Sequence, residues 1–305
     1  MLKKVLFLGR PSMGKTTIIK VIFENEDPNI LALFPLESTL GKKFATYDFL
    51  DLKISVLDTA GQSLSSYLSD QDLQDNIFGD TSKLIYLFDY NIWLSDQDLV
   101  INDLKQIYDV NEKKDFGAEI IVFFHKIDLI PQVDNAKLFK LETLLLEKLE
   151  LPKRIKIYFT SIHPDLLHTV FNAFYNTLND LSEVISELKT IVDSFFDDLT
   201  NTICFITNNK KNIVSQIMTN DFNFKFIPEF HEKINNFLKK EETTINSDNF
   251  PKTIEIQNVY FFSGIDDISE IGDYFNRIII FSQKLDNKKI QELIVDIKQK
   301  ILDLS

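Results

Sequence analysis

Gly9-Arg10-Pro11-Ser12-Met13-Gly14-Lys15-Thr16 decides the fold of this chain. Before it runs Lys4-Val5-Leu6-Phe7-Leu8, an apolar stretch with the composition of a buried strand. After it, Thr17-Ile18-Ile19-Lys20-Val21-Ile22-Phe23 reads as a helix. A loop of the form G-x-x-x-x-G-K-[ST] between a strand and a helix is a phosphate cradle. Its backbone N–H groups and the helix N-terminus together form an anion site. On this reading the backbone of Gly9, Ser12, Met13, Gly14, Lys15, Thr16 and Thr17 lines the site. The Lys15 ammonium reaches the β- and γ-phosphates, and the Thr16 hydroxyl ligates Mg²⁺.

Outward from this loop, residues 1–180 alternate strand-like and helix-like segments. Strand-like runs fall at 4–8, 44–50, 53–58, 83–89, 119–125 and 155–160, and helical patterns at 15–24, 95–109, 137–150 and 164–179. Such alternation predicts a mostly parallel six-stranded sheet with helices on both faces. Only Asp51-Leu52 separates 44–50 from 53–58, so that pair is expected to be a hairpin that adds one antiparallel edge strand. Residues 24–42 are acidic, carry Pro28 and Pro35, and read as a mobile loop. From 181 the pattern changes to a helix over 181–199, strands over 202–207 and 213–218, a helix over 228–240, strands over 253–262 and 277–281, and a helix over 288–302. This is an α-β-β-α-β-β-α unit of the α+β class. The expected domains are therefore 1–180 and 181–305.

Composition narrows the function. The 305 residues carry a formal charge of −13, and both halves are acidic, which argues against a nucleic-acid or anionic-membrane binder. Phe occurs 27 times and Trp once, so the aromatic bulk of the core is expected to be phenylalanine. Cys204 is the one cysteine, which precludes an intrachain disulfide and fits a reducing, cytoplasmic setting. No apolar run reaches membrane-spanning length, and Met1-Leu2-Lys3-Lys4 does not read as a signal peptide. A membrane is expected to be reached only through partners.

Further strand-end motifs follow the phosphate loop in order. Asp58-Thr59-Ala60-Gly61-Gln62 closes the run at 53–58. Asp58 there holds Mg²⁺ through water, the Gly61 N–H meets a γ-phosphate, and Gln62 orients the attacking water. His125-Lys126-Ile127-Asp128 ends the next long strand. The Asp128 carboxylate accepts two hydrogen bonds from guanine N1–H and its 2-amino group, a pair that adenine lacks. Thr160-Ser161-Ile162 closes the strand after that and supports the base. All of these sit at carboxyl ends of strands, where α/β sheets bind ligands. Taken singly, each has a plain structural reading: Asp-x-x-Gly a turn, His125 a core histidine, Gln62 a surface glutamine. Their order and spacing together point to GTP/GDP with Mg²⁺.

At these residues the chain resembles the Rag/Gtr GTPases, a branch of the Ras-like superfamily. His125 stands where most Ras-like proteins have Asn, giving the His-Lys-x-Asp of that branch. Asp75-Asn76-Ile77-Phe78, followed by Leu84-Ile85-Tyr86-Leu87-Phe88-Asp89, and Thr160-Ser161-Ile162 are similar to it as well. The resemblance implies a switch I threonine over Mg²⁺ and the γ-phosphate. Thr39 matches best, with Ser38 the alternate. It also implies a roadblock-type dimerisation domain over 181–305. Further implications are a second GTPase or a roadblock protein as partner, an activating protein and an exchange factor in trans, and nutrient signalling to the TOR kinase complex on lysosomes or vacuoles.

The chain departs from the superfamily at Pro11, where many small GTPases have Gly. Its ring fills space beside the γ-phosphate, where an arginine finger enters. The chain has three arginines, Arg10, Arg154 and Arg277, none in switch I; Arg10 itself reads as solvated, with contact to nucleotide or switch I the alternative. The expected activity is therefore slow hydrolysis by Lys15, Thr39 and Gln62. Two other readings stay open: a GTP-loaded scaffold with negligible turnover, and a P-loop ATPase or kinase, which Asp128 speaks against.

Overall fold

The structure is a computed structural model. It describes residues 2–303 except 25, 27, 34–41, 50–51, 152–154, 179–180, 210, 212, 224–225, 241–249 and 272–274. The chain divides into two compact units, Met1–Thr177 and Leu178–Ser305.

The first unit runs β1 (Leu2–Gly9), α1 (Lys15–Phe23), α2 (Pro28–Leu33), β2 (Lys42–Phe49), β3 (Leu52–Thr59), α3 (Leu64–Ser69), α4 (Gln71–Phe78) and β4 (Thr81–Asp89). It continues with α5 (Tyr90–Ser95), α6 (Gln97–Lys113), β5 (Glu119–His125), α7 (Asn135–Leu149), β6 (Lys156–Phe159) and α8 (His168–Leu178). The sheet order is β2-β3-β1-β4-β5-β6. Every pairing is parallel except β2 with β3, where Phe49 opposes Leu52 and Lys43 opposes Asp58. The expected antiparallel edge strand is therefore present, and β1 lies at the centre. From β1 the chain visits β2 and β3 on one side and then crosses to β4 on the other, so a switch point opens at the end of β1.

Central parallel strands are covered on both faces, which is why they read as unbroken apolar runs. Val5 to Leu8 and Ile121 to Phe124 have no exposed surface. On one face Phe7 meets Phe174 of α8, which in turn meets Phe23 of α1 at 5.1 Å. On the other, Phe88 and Phe124 meet at 4.6 Å with their rings tilted and Trp93 beside them, and α6 buries Val100, Leu104 and Ile107. The loop expected over 24–42 contains a helix instead. Pro28 begins it, where the ring's fixed φ suits a first helical residue and its missing N–H costs nothing.

The second unit runs α9 (Glu183–Phe196), β7 (Thr202–Asn208), β8 (Ile213–Met218), α10 (Ile227–Lys240), β9 (Thr253–Ile256), β10 (Val259–Asp267), β11 (Phe275–Ser282) and α11 (Asn287–Leu302). Its antiparallel sheet has the order β8-β7-β11-β10-β9. The single strand expected over 253–262 is a hairpin. Gln257 and Asn258 form its two-residue turn, both left-handed at φ 49° and 64°, the geometry that matches strand twist. The unit is thus α-β-β-α-β-β-β-α. On one face Phe230 of α10 meets Phe281 at 4.5 Å and Phe261 at 5.0 Å. On the other, α11 buries Ile290, Ile294 and Ile297 against β10 and β11. The aromatic part of the core is mostly phenylalanine, as expected, beside a larger number of isoleucines. Among the described residues no helix is long and apolar enough to cross a membrane.

Candidate functional site

The site grows from the end of β1. Gly9 and Gly14 have positive φ, and so does Ser12 at 62°, a conformation that bends the loop back on itself. The chain then enters α1 at Lys15. The Lys15 ammonium is buried and donates to Gly9 O at 2.8 Å and Arg10 O at 3.0 Å. Burial pushes its pKa down to about 8, and the nearby Asp58 opposes that shift. Met13 is buried beneath the loop, and Thr17 is half-buried on the first turn of the helix.

Asp58 is the penultimate residue of β3, opposite Phe7 of β1. Its Oδ2 accepts from the Thr16 hydroxyl at 2.6 Å. A hydroxyl and a carboxylate converging at a helix N-terminus are hard oxygen donors of the kind Mg²⁺ selects. Among the described residues no cluster of three or more His, Cys, Asp or Glu could hold a metal. Thr16 and Asp58 are thus the residues that would hold a Mg²⁺ here, as oxygen donors of the kind that ion takes. Gly61 follows in a short 3-10 turn over Gly61–Ser63. It lies so close to the phosphate loop that a Cβ would be 2.2 Å from Pro11 N and 2.4 Å from Arg10 C. Gln62 belongs to the same turn, while Thr39 and Ser38 lie outside the described residues.

Lys126, left-handed at φ 56°, begins the loop after β5. Its ammonium donates to Ser12 O at 2.7 Å and to Asp89 Oδ2 at 2.9 Å, tying this loop to the phosphate loop and to the end of β4. Asp128 follows, exposed, with Oδ1 accepting from the Ser161 hydroxyl. Ser161 is fully buried; its Oγ accepts from His163 N at 2.9 Å and its own N–H donates to Thr169 Oγ1 at 2.9 Å. Ile127 N donates to Thr160 O, so the loops after β5 and β6 are laced together. Ile162 lies half-buried beside them.

His125 lies where its plain structural reading puts it, and Arg10 does not. His125 is 1% exposed and acts from beneath the site. A Cβ on Gly14 would be 2.9 Å from its Cδ2, and its Nδ1 is 3.0 Å from Thr160 Oγ1. It is at once a core histidine and the packing between phosphate loop and base loop. Arg10, read as solvated, instead makes a bidentate pair with Asp103 of α6, which nothing near it in sequence announces.

Burial, and then the Lys126 charge, lower the His125 pKa to about 4. The unfolded value is near 6.5. The unfolded chain thus binds the extra proton between these limits. Stability from this group is complete above about pH 6.5 and drains away as pH falls toward about 4, by up to about 3 kcal/mol. Comparing urea unfolding of wild type with His125→Asn isolates it, because the carboxylates are common to both. The wild-type advantage is expected to shrink by about 2 kcal/mol from pH 7.5 to pH 5. A constant difference would contradict a buried neutral imidazole.

A phosphate loop, an oxygen pair for a hard cation and an Asp-bearing loop therefore meet at one rim of a mostly parallel sheet. That conjunction defines a class: the P-loop G proteins. The family follows from comparison. The Gtr1/RagA G protein conserved region matches residues 4–238, and the chain belongs to that family. It is 29% identical to the Ras-related GTP-binding protein A of Dictyostelium discoideum, over 64% of this chain and 63% of that protein, less than two thirds of its length. It is 24% identical to the GTP-binding protein GTR1 of Saccharomyces cerevisiae over 96% of this chain and 95% of that one. The GTP-binding protein GTR2 of the same yeast is 28% identical over 62% and 54%.

Proposed function

We propose that this protein is a guanine-nucleotide switch of the Rag/Gtr type, with slow intrinsic GTP hydrolysis and signalling through dimerisation of Leu178–Ser305. The observation that carries this reading is Lys126. One ammonium joins the phosphate loop at Ser12 O to the loop that bears Asp128, so triphosphate and base are gripped by one connected frame.

Lys15 leaves its two loop carbonyls for the β- and γ-phosphates. Thr16, Asp58 and Thr39 would hold Mg²⁺, which would supply charge neutralisation to the phosphates. Gln62 orients the attacking water. Phosphoryl transfer asks mainly for positioning and charge. The one described arginine of this unit, Arg10, is committed to Asp103, and the Pro11 ring is taken to fill the approach of an arginine from outside. Hydrolysis by the protein alone is therefore slow, and an activating protein supplies the missing charge in trans. While the γ-phosphate is present, Thr39 and the Gly61 N–H hold both switches; its loss releases them.

In the second unit β8 and β9 each pair on one side only among the described strands. Such edges suit extension of the sheet by a like unit, and the α-β-β-α-β-β-β-α order is compatible with a roadblock-type domain. The partner is a second GTPase or a roadblock protein. Nutrient signalling to a TOR-type kinase complex, with membrane recruitment by partners, is the pathway the family membership favours.

The competing reading is a GTP-loaded scaffold with negligible turnover. Gln62→Leu separates the two. In single-turnover assays it is expected to slow hydrolysis by at least about tenfold. An unchanged rate would favour the scaffold. Light scattering behind size exclusion, with chromatography of the nucleotide released on denaturation, tests self-association and base identity together.

A further inference from the structure

Arg10 belongs to the phosphate loop, but its side chain belongs to α6. Its Nε and Nη2 donate to Oδ2 and Oδ1 of Asp103, both at 2.8 Å, across 93 residues of sequence. The Asp103 side chain is 5% exposed and also accepts from the Tyr86 hydroxyl of β4 at 2.9 Å. Three donors thus satisfy one buried carboxylate, and burial holds the Tyr86 phenol well above its usual range, so it stays a donor. A bidentate guanidinium–carboxylate pair fixes orientation as well as distance.

The main chain of Arg10 touches the working parts. Its carbonyl receives Lys15 Nζ, and Gly61 rests on its peptide link to Pro11, where there is no room for a Cβ. The peptide that Asp103 anchors is therefore the surface against which Gly61 is placed.

We propose that Asp103 is a positioning residue for the triphosphate state. By clamping Arg10 it fixes the Arg10–Pro11 peptide, and so sets where the Gly61 N–H meets the terminal phosphate. This rests on the nucleotide-switch reading above. It carries an asymmetry that a merely structural ion pair lacks. A diphosphate makes no use of Gly61, so losing the clamp weakens the triphosphate selectively.

Removing one partner alone would strand a buried charge, whereas replacing both with apolar residues is often neutral for stability. The test therefore uses the full chain with Arg10→Met and Asp103→Leu together, in a Tyr86→Phe background that removes the third donor. Fluorescent GDP and a non-hydrolysable GTP analogue are titrated in Mg²⁺ against wild type and this variant. The GTP-analogue affinity is expected to fall about tenfold more than the GDP affinity, with Asp103→Glu restoring part of the ratio. Equal losses for both nucleotides, or none, would overturn the clamp. Should that variant not fold, the isosteric Asp103→Asn decides by the same ratio, with a shift of about threefold expected. Wild type that binds neither nucleotide defeats the switch reading itself, a result distinct from an unchanged ratio.

Discussion

Asp128→Asn is expected to lose GTP and GDP by about two to four orders of magnitude and to gain xanthosine nucleotides in their place. The argument starts at Ser161. That residue is fully buried, its N–H is held by Thr169, and its hydroxyl donates to Asp128 Oδ1. One carboxylate oxygen is thereby fixed, and the second accepts from no protein donor among the described residues. An acceptor-only group in this place complements two adjacent donors, the N1–H and 2-amino group of guanine. Asparagine turns one of those acceptors into a donor. It then faces the 2-amino group donor to donor, which leaves both unpaired in a desolvated contact. Xanthine keeps N1–H but carries an oxygen at position 2, so it matches the amide. Competition among GTP, XTP and ATP for a fluorescent guanine nucleotide, on wild type and variant, checks this. A variant that still prefers GTP would remove Asp128 from the base site. Equal competition by ATP on wild type would replace the guanine reading with a general nucleotide site.

The sequence displays this pocket because its parts have local signatures. Gly9 and Gly14 adopt a backbone that side chains disfavour, and Asp58 lies at the end of an unmistakable apolar strand and Asp128 just beyond another. The antiparallel edge was equally legible, since two residues between strand-like runs leave no length for a crossover. Other features lacked such marks. The turn at Gln257-Asn258 has two left-handed residues and no glycine, so β9 and β10 read as one strand. Over Leu64–Phe78 two short helices meet at Asp70, which caps the second by accepting from Asp72 N and Leu73 N. At six and eight residues, each is too short for a helical period to emerge. The Arg10–Asp103 pair is the extreme case, because nothing in a sequence joins residues 93 apart. Its one trace is an aspartate among Val100, Leu104 and Ile107 on the buried face of α6, where a carboxylate needs a partner.

Lys15→Met is expected to abolish useful nucleotide binding while leaving the free protein at least as stable. The ammonium is buried against Gly9 O and Arg10 O, and burial has already lowered its pKa to about 8. Keeping a charge there is costly to the fold, since two carbonyl dipoles and Asp58 offset only part of the lost hydration. Methionine preserves length and apolar contact and removes that cost. Toward the ligand the balance reverses. The lysine trades its carbonyls for oxygens of a polyphosphate, and each charge-assisted hydrogen bond contributes about 1.5–3 kcal/mol. Two such bonds amount to about two to four decades of affinity, at about 1.4 kcal/mol per decade. The two effects have opposite signs, which a merely unfolded variant could not imitate. Thermal unfolding with and without GDP and Mg²⁺ reads both. Wild type gains stability with ligand concentration, as selective binding to the folded state requires. The variant starts at or above the wild-type midpoint and does not move. A variant that shifts as wild type does would show that the phosphates are held without Lys15, and the loop from Gly9 to Thr16 would lose its assigned role.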